Sequence, residues 1–376
     1  MEGKQVGVIG GGQLAWMMGA EAPKLGIKLI IQTPNQDDPA VSRAHNVVFA
    51  EVDDAKGTAK LAQDSDVVTF ENEFIDLEAL HKVETLGRWG HFYPSLATLA
   101  PLLDKYDQRN YLKSIDVPVP NFGLYPAANL ESDYGFPVVL KARRHGYDGQ
   151  GTFIIKKLQD LEWLAKTVPV AELLVEEFIP FDQELGIIAA RNGLGEIAVY
   201  PVTQTYQKNQ VCHWTITPAN VTKEVAERVK AIARQILDKL QVVGVFGIEF
   251  FLTKDNRVLV NEIAPRTHNS GHYTLDGCET SQFAMQLQAV TGMPLGSTNL
   301  KSAGALMVNL LGFEESNFDY QKKRNRILEI ANSFVHWYGK TSHLGRKLGH
   351  VTVILNRKEL EQARSIISQI ESIWYE

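Results

Sequence analysis

The sequence predicts an α/β protein made of three units, and three segments carry this prediction. Residues 4–31 run from an apolar strand through Gly10-Gly-Gly12 into a helical stretch and a second strand. This order is typical of a parallel, Rossmann-like sheet. Residues 137–155 hold two apolar strands around a glycine-rich loop. Residues 244–266 alternate apolar and polar residues on both sides of a short polar turn, which indicates a β-hairpin.

Proline residues and changes of pattern locate the boundaries between the units. Pro94 and Pro101 bracket the first boundary, so we expect a Rossmann-like N-terminal domain over residues 1–100. Strands and helices of mixed length follow, and we assign residues 101–297 to a central domain. Three strand-like segments and a terminal amphipathic helix then predict a small α+β domain over residues 298–376.

Composition excludes several classes of function. The chain has 376 residues, a formal net charge of −6 and only two cysteines, Cys212 and Cys278. A negative balance without a long basic run argues against a nucleic-acid partner. Two cysteines give no disulfide framework, which is typical of a reducing compartment. No segment has the length of a membrane span, and no apolar leader precedes the first strand. We therefore expect a cytoplasmic enzyme without a membrane partner.

The hairpin carries the most informative pair of side chains. Side chains alternate between the faces of a strand, so Glu249 lies opposite the face that bears Phe246, Ile248 and Phe250. If the hairpin closes around its polar turn, Glu249 and Glu262 face each other. Facing carboxylates repel unless a cation lies between them. Oxygen ligands suit Mg²⁺ with water and phosphate. Two solvated surface glutamates are the alternative.

Two glycine-rich loops predict phosphate binding. Residues 10–15 lead into a helix, and free N–H groups at a helix N-terminus bind anions. The second strand lacks the acid that holds the ribose of NAD, so a smaller phosphorylated ligand fits better than a dinucleotide. Lys141 ends a strand before a second loop with glycines at 146, 149 and 151, which we interpret as a lid over a nucleotide. Turns without a ligand are the alternative for both loops.

Three further segments combine charged residues with strand ends or loops. Residues 176–179 end a strand and lead to Glu184, where an adenosine could bind, although an acidic surface strand is the simpler interpretation. Residues 265–272 directly follow Glu262, which favours anion binding beside the metal, with a polar loop of capping residues as the alternative. Lys340, Arg346 and Lys347 form a basic loop that suits a phosphate, with a solvated loop as the alternative.

These motifs, in this order, resemble the ATP-grasp superfamily. The most specific signs are Gly-Gly-Gly-Gln-Leu at 10–14, Gly-Tyr-Asp-Gly-Gln-Gly at 146–151, the run from Asn261 to His272, and the segment 336–350. The similarity covers nearly the whole chain. Within the superfamily, the chain is similar to the enzymes that carboxylate 5-aminoimidazole ribonucleotide. One departure is Ala15-Trp16, where that group usually has Gly-Arg.

The resemblance implies an ATP-grasp central domain, ATP and Mg²⁺ as cofactors, and a homodimer. The implied reaction joins bicarbonate to 5-aminoimidazole ribonucleotide through carboxyphosphate, giving 5-(carboxyamino)imidazole ribonucleotide, ADP and phosphate in de novo purine (IMP) biosynthesis. The alternatives are a related ligase that acts on another amine, an NAD-dependent dehydrogenase that uses the first glycine loop, and a nucleotide sensor without turnover.

The resemblance also implies roles for individual residues. For the nucleotide phosphates and the lid, they are Lys105, Lys141, Gly146, Tyr147, Asp148, Gly149, Gln150, Gly151 and Thr152. For the nucleoside and the metal, they are Glu176, Glu177, Phe178, Ile179, Glu184, Gln207, Glu249, Asn261 and Glu262, of which Glu249 and Glu262 bind Mg²⁺. For the ribonucleotide, they are Gln13, Leu14, Glu73, Tyr147, Arg266, Asn269, Ser270, Lys340, Arg346 and Lys347. The implied catalytic residues are Arg266, His268, Asp148 and Lys340.

Overall fold

The computed structural model describes residues 3–85, 91–125, 130–144, 151–164 and 173–376. Within these ranges, no helix is both long and apolar enough to cross a bilayer. The predicted lid residues Gly146, Tyr147, Asp148, Gly149 and Gln150 lie outside the described residues.

The first unit is a five-stranded parallel sheet. Its strands are β1 (Gln5–Ile9), β2 (Lys28–Thr33), β3 (Asn46–Phe49), β4 (Val67–Phe70) and β5 (His91–Phe92). Its helices are α1 (Gln13–Glu21), α2 (Ala55–Gln63), α3 (Leu77–Thr85) and α4 (Leu96–Leu99). The spatial order β3-β2-β1-β4-β5 confirms the Rossmann-like arrangement. The sequence did not predict β3, because four residues are too few to show a period.

The second unit begins with a small antiparallel sheet. Its strands are β6 (Phe122–Tyr125), β7 (Val138–Ala142), β8 (Thr152–Ile155) and β9 (Leu173–Glu177), in the order β6-β9-β7-β8. The helices around it are α5 (Lys105–Ser114), α6 (Leu130–Asp133) and α7 (Asp160–Leu164). Lys141 lies in β7 directly beside Thr152 of β8, and the two strands pair antiparallel.

A large antiparallel sheet forms the rest of the molecule. Its strands are β10 (Phe181–Arg191), β11 (Ile197–Val199), β12 (Thr203–Lys208), β13 (Val211–Thr217), β14 (Gly244–Thr253), β15 (Val258–Ala264), β16 (Gly304–Leu311), β17 (Ser333–Trp337) and β18 (Lys347–Leu355). The spatial order is β15-β14-β10-β12-β13-β16-β18-β17, with β11 beside β10. Its helices are α8 (Lys223–Leu240), α9 (Thr274–Gly277), α10 (Gln282–Thr291), α11 (Gln321–Leu328), α12 (Arg357–Glu361) and α13 (Ala363–Tyr375).

Helix α8 forms the main core with one face of this sheet. Its apolar stripe is buried, with Val229, Ala233 and Ile236 fully enclosed against β10 and β14. The Thr222 hydroxyl accepts a hydrogen bond from the Val225 N–H at 3.3 Å and so caps the start of this helix. The apolar face of β14 is therefore fixed inwards, and its other face is left for the site.

The sequence did not predict the strands between residues 181 and 217. Glu184 lies in the first of them, β10, rather than after the end of a strand. Strands β12 and β13 were not predicted, because β12 (Thr-Gln-Thr-Tyr-Gln-Lys) is polar on both faces and owes its extension to pairing with β10 and β13. Lys347 was assigned to a loop but is the first residue of β18.

The large sheet crosses the predicted boundary at residue 298. Strand β16 pairs with β13 over Thr217↔Ala305 to Trp214↔Val308. The hairpin β14–β15 and the strands that follow residue 304 therefore belong to one continuous hydrogen-bonded layer. The domain limits of 100 and 297 stay predictions.

Candidate active site

The hairpin β14–β15 places two carboxylates face to face. Glu249 is the direct partner of Glu262, as the alternation predicted. The next pair is Phe250↔Val260, so Asn261 is an extra residue in a β-bulge. A bulge lets two successive side chains point to the same face, and the Asn261 amide Nδ2 lies 3.4 Å from Glu249 Oε2. The turn closes through Asn256, whose φ of 60° is left-handed.

The two carboxylates differ in their neighbours. Burial raises the pKa of Glu249 to about 7, and the charges of Glu262 and Glu184 add to this effect. Glu262 Oε1 lies 2.6 Å from the Lys105 ammonium. Burial works against ionisation of Glu262, but Lys105 and the cations behind it hold its pKa below the usual value. Glu249 therefore remains an incompletely neutralised acid, which favours binding of an additional cation.

The donor set fits Mg²⁺ bound together with a phosphate. Among the described residues, no three His, Cys, Asp or Glu side chains converge to hold a metal by themselves. Glu249 and Glu262 supply two carboxylates, and Asn261 supplies an amide beside them. Mg²⁺ usually takes one or two carboxylates and fills its shell with water and phosphate oxygens. The pair thus suits a nucleotide-bound ion better than a site made of protein ligands alone.

Helix α5 covers the edge of β15 and brings cations to the pair. The Gln108 side chain donates to the Ile263 carbonyl at 3.2 Å and accepts from the Ile263 N–H at 3.0 Å, in place of a neighbouring strand. The helix starts at Asp104, whose carboxylate accepts the Tyr106 N–H and pairs with Arg143 at 2.8 Å. Lys105, at the first helical position, therefore points to Glu262.

A buried ionic network lies behind the carboxylates of Glu249 and Glu262. The Glu176 carboxylate accepts from Arg109 Nε at 2.5 Å and lies 2.7 Å from Lys141 Nζ. Lys141 Nζ also donates to Asn261 Oδ1 at 3.0 Å, and the Arg109 guanidinium donates to the Asn261 carbonyl. Glu176 and Arg109 are each 1% exposed. The acidic-surface-strand interpretation is wrong for Glu176, because two cations on other elements enclose it.

Sequence reasoning missed Arg109 altogether. Arg109 lies four residues after Lys105, so both point from one face of α5. A charged residue at the end of an apolar strand, such as Lys141 or Glu176, was the available signal that buried partners exist. Burial opposes ionisation of Glu176, yet Arg109 and Lys141 lower its pKa to about 2. Burial lowers the pKa of Lys141, and Glu176 acts against that effect.

The predicted nucleoside residues lie along the same side of the sheet. Glu177 is partly buried and Ile179 is 4% exposed, and the chain turns at Pro180 into β10. Glu184 pairs with Thr205 across β10 and β12, and its carboxylate accepts the backbone N–H of Gln207. Burial raises the pKa of Glu184 to about 7. The structure thus brings Glu184, Gln207 and Glu249 together on one sheet face.

Four of the predicted ribonucleotide residues form contacts between units. Arg266 Nε lies 2.9 Å from Glu73 Oε2 of the first unit, and the Lys340 ammonium donates to Gln13 Oε1. Burial lowers the pKa of Lys340 to about 8, and Glu71 opposes that effect. Arg346 donates to the Thr341 carbonyl at 2.9 Å, beside Lys340.

The segment after Glu262 is held by side-chain pairs. His268 Nδ1 and Ser270 Oγ are 2.9 Å apart, and His268 Nε2 lies 3.6 Å from Glu249 Oε1. Asn269 exchanges two amide hydrogen bonds with Asn309 of β16, at 2.8 and 3.0 Å. His268 therefore lies beside Glu249, and Asn269 is held by the neighbouring strand. Anion binding by His268 stays a prediction.

The first glycine loop is not an open anion site. The backbone N–H groups of Gly12 and Leu14 donate to the Glu71 carboxylate at 2.6 and 3.0 Å. The prediction that free N–H groups at the start of α1 bind a ligand phosphate is wrong for these two donors, because an internal carboxylate already takes them. The same arrangement argues against a dinucleotide at this loop. Contacts of Gln13 and Leu14 with the ribonucleotide stay predictions.

A small antiparallel sheet and a large one, facing carboxylates, two nearby lysines and a Rossmann-like first unit together define an ATP-grasp ligase. Family models agree along the chain. The ribonucleotide synthetase preATP-grasp domain matches residues 3–100, the ATP-grasp domain matches 110–283, and the phosphoribosylaminoimidazole carboxylase C-terminal domain matches 305–364.

Similar proteins narrow the assignment. An N5-carboxyaminoimidazole ribonucleotide synthase of Synechocystis is 50% identical over 383 residues, with 98% of each chain covered. The crystal structure of the Thermotoga maritima synthetase is 39% identical, covers 98% of each chain and has a TM-score of 0.87. The Aspergillus clavatus enzyme in complex with ADP and 5-aminoimidazole ribonucleotide is 28% identical, covers 99% of this chain and 98% of that chain, and has a TM-score of 0.90. The chain belongs to the N5-carboxyaminoimidazole ribonucleotide synthase family.

Proposed function

We propose that this chain carboxylates 5-aminoimidazole ribonucleotide with bicarbonate at the expense of ATP. The observation that carries the proposal is the register of β14 and β15, which sets Glu249 opposite Glu262 with Asn261 in a bulge beside them. Lysines reach this pair from one side, and Arg266 and Lys340 contact side chains of the first unit. The Aspergillus clavatus relative binds ADP together with 5-aminoimidazole ribonucleotide, which fits a phosphoryl-transfer site next to a ribonucleotide site.

The nucleotide end of the site prepares the γ-phosphoryl group for transfer. We propose that Glu249 and Glu262 hold Mg²⁺, which neutralises charge on the phosphate oxygens when bound. Lys105 and Lys141 are fixed by Glu262, Glu176 and Asn261. Their ammonium groups stabilise the oxygens of the transferring group without moving. The lid at 146–150 stays a prediction.

The other end binds the two acceptors in turn. A bicarbonate oxygen attacks the γ-phosphorus, which gives carboxyphosphate and ADP. The exocyclic amine of the ribonucleotide then bonds to the carboxyl carbon, directly or after release of CO₂, and phosphate leaves. Arg266, held by Glu73, binds the bicarbonate and its phosphate adduct. The amine proton passes to a base, for which Asp148 and His268 are the candidates.

The test measures phosphate release with ATP, bicarbonate and 5-aminoimidazole ribonucleotide, each omitted in turn. We expect release to require all three substrates and ¹³C-bicarbonate to enter the product. Chelation with EDTA should stop release, and added Mg²⁺ should restore it. Phosphate release that does not depend on the ribonucleotide would favour a ligase for another amine. ATP binding without any turnover would favour a nucleotide sensor.

We also propose a homodimer in the cytoplasm, on the basis of the family resemblance alone. Sedimentation velocity measures the mass of the particle in solution. A species of one chain at micromolar concentration would contradict the dimer.

A further inference from the structure

A buried acid that the proposed chemistry does not use lies at the edge of the first sheet. Glu71 directly follows β4, and its N–H donates to the Ile9 carbonyl at the end of β1. Its side chain is 8% exposed. The carboxylate turns back over the start of α1, where it accepts the N–H groups of Gly12 and Leu14. It thus takes the place that a phosphate takes in dinucleotide-binding sheets.

The glycines of the first loop make room for this carboxylate. A Cβ on Gly12 would lie 2.5 Å from Glu71 Oε1, and a Cβ on Gly10 would lie 2.6 Å from Oε2. Gly10 also has a φ of +119°, which other residues rarely adopt. The glycine-rich motif is therefore required by Glu71, whether or not a ligand approaches the loop.

Gln13, at the start of α1, contacts the third unit. Gln13 lies between the two N–H groups that Glu71 binds, and its Oε1 accepts a hydrogen bond from the Lys340 ammonium. Among the described residues, Glu71 and Asp38 favour the charged form of Lys340, and Arg346 and Lys347 oppose it. Burial raises the pKa of Glu71, whereas the Gly12 N–H and Lys340 favour its charged form. Glu71 thus holds Gln13, the partner of Lys340, in place, and its charged form supports the ammonium.

We propose that Glu71 is a positioning residue for the ribonucleotide site, acting through Gln13 and Lys340. The carboxylate fills the N-terminus of α1, so the phosphate of the ribonucleotide is left to the cations of the third unit. The inference rests on the proposed function, since it assumes that Gln13 and Lys340 contact the ribonucleotide.

Steady-state kinetics of Glu71→Gln test this role. The KM for the ribonucleotide should rise about tenfold, which equals ~1.4 kcal/mol, and the KM for ATP should not change. The alkaline limb of the pH profile of kcat/KM should move to lower pH, because Lys340 loses its main counter-charge. Glu78→Gln, on the exposed face of α3, serves as the control. Wild-type KM values and an unmoved alkaline limb would overturn the proposal.

Two further variants separate a positioning role from a purely structural cap. Glu71→Asp keeps the charge, so it should return the alkaline limb towards its wild-type position. If the limb stays at the position found for Glu71→Gln, the charge of Glu71 does not act on Lys340. If Glu71→Gln does not fold, Gly12→Ala displaces the carboxylate without removing its charge. That variant should raise the KM for the ribonucleotide alone, and an unchanged KM would overturn the proposal.

A measurement without substrate separates this inference from the proposed reaction. The rate at which an amine-reactive reagent labels Lys340 is followed against pH by peptide mass spectrometry. In Glu71→Gln the half-maximal rate should occur at lower pH than in the wild type. That shift supports the coupling even if the wild type shows no carboxylation, and identical labelling curves overturn it even if carboxylation is observed.

Discussion

Two carboxylates linked through Asn261 have opposite electrostatic surroundings. Glu176 lies between Arg109 and Lys141, both within 2.7 Å, and its pKa is about 2. Glu249 faces Glu262 and Glu184. Burial and the charges of these two acids raise its pKa to about 7, while Lys105 and Lys347 act in the opposite direction. The His268 imidazole lies 3.6 Å from the Glu249 carboxylate. A carboxylate neutralised by the protein belongs to the scaffold, whereas one that faces other acids depends on a cation from outside.

The largest difference between the two sites should appear in turnover. Glu262→Gln removes one negative ligand of the proposed metal, and we expect phosphate release to fall at least ~100-fold. Asp255→Asn, at the turn of the same hairpin, should keep activity within about twofold of the wild type. Phosphate-release assays measure both. Near-normal activity in Glu262→Gln would remove the metal assignment.

The scaffold carboxylate should instead control stability. Glu176→Gln leaves Arg109 and Lys141 buried without their counter-charge, which costs about 3–5 kcal/mol. Urea denaturation should show an earlier midpoint for this variant. Glu177→Gln, at the more exposed neighbouring position, should keep the wild-type midpoint. Equal midpoints for both variants would mean that the buried network contributes little.

The pH dependence of this stability follows from the pKa of Glu176. The pKa is lower in the folded chain than in the unfolded chain, so the stabilisation is present above about pH 4.3 and is lost as the pH falls towards 2. The gap between the wild type and Glu176→Gln should therefore narrow on acidification from pH 6 to pH 3. A constant gap would contradict the ion pairing.

Glu249→Gln should change the free energy of unfolding in the opposite direction from Glu176→Gln. The folded-state pKa of Glu249 is raised, so its ionisation destabilises the metal-free chain as the pH rises above the unfolded value near 4.3. We expect Glu249→Gln to increase the unfolding free energy by about 1–3 kcal/mol at pH 8 without Mg²⁺, with little change at pH 4. Thermal melts at both pH values measure this difference. A lower melting temperature at pH 8 would contradict the repulsion between the facing acids.

The smallest effect should come from the residue that joins the two sites. Asn261→Ala removes the amide that contacts both Lys141 and Glu249, so we expect the KM for ATP to rise up to about tenfold. Asn256→Gly, which keeps the left-handed turn of the same hairpin, serves as the kinetic control. A kcat loss as large as that of Glu262→Gln would mean that Asn261 is itself an essential ligand.

The pattern of neighbouring residues predicted the hairpin but not the side chains from distant segments that contact it. Alternation and a polar turn are properties of neighbouring residues, so Glu249 and Glu262 were correctly placed opposite each other. The bulge at Asn261 depends on Arg109, Gln108 and Lys141 from distant segments, which no local pattern reveals. Strands β10 to β13 were missed for the same reason, since pairing rather than propensity keeps them extended.

The glycine motif shows how a correct pattern can predict the wrong ligand. Residues 10–15 form the expected turn into α1. The acid that takes its N–H groups is Glu71, 59 residues beyond Gly12. The sequence alone did not show that Glu71 turns inwards while Glu73 reaches Arg266.

The pairing of β13 with β16 has a consequence for dissecting the protein. A fragment that stops before residue 304 would leave the hydrogen-bonding edge of β13 bare, and such edges recruit other chains into aggregates. A separately expressed C-terminal piece would carry the matching bare edge on β16. Two co-expressed fragments should therefore associate through the β13–β16 pair. Co-expression is thus a better way to study the separate parts of the protein than truncation.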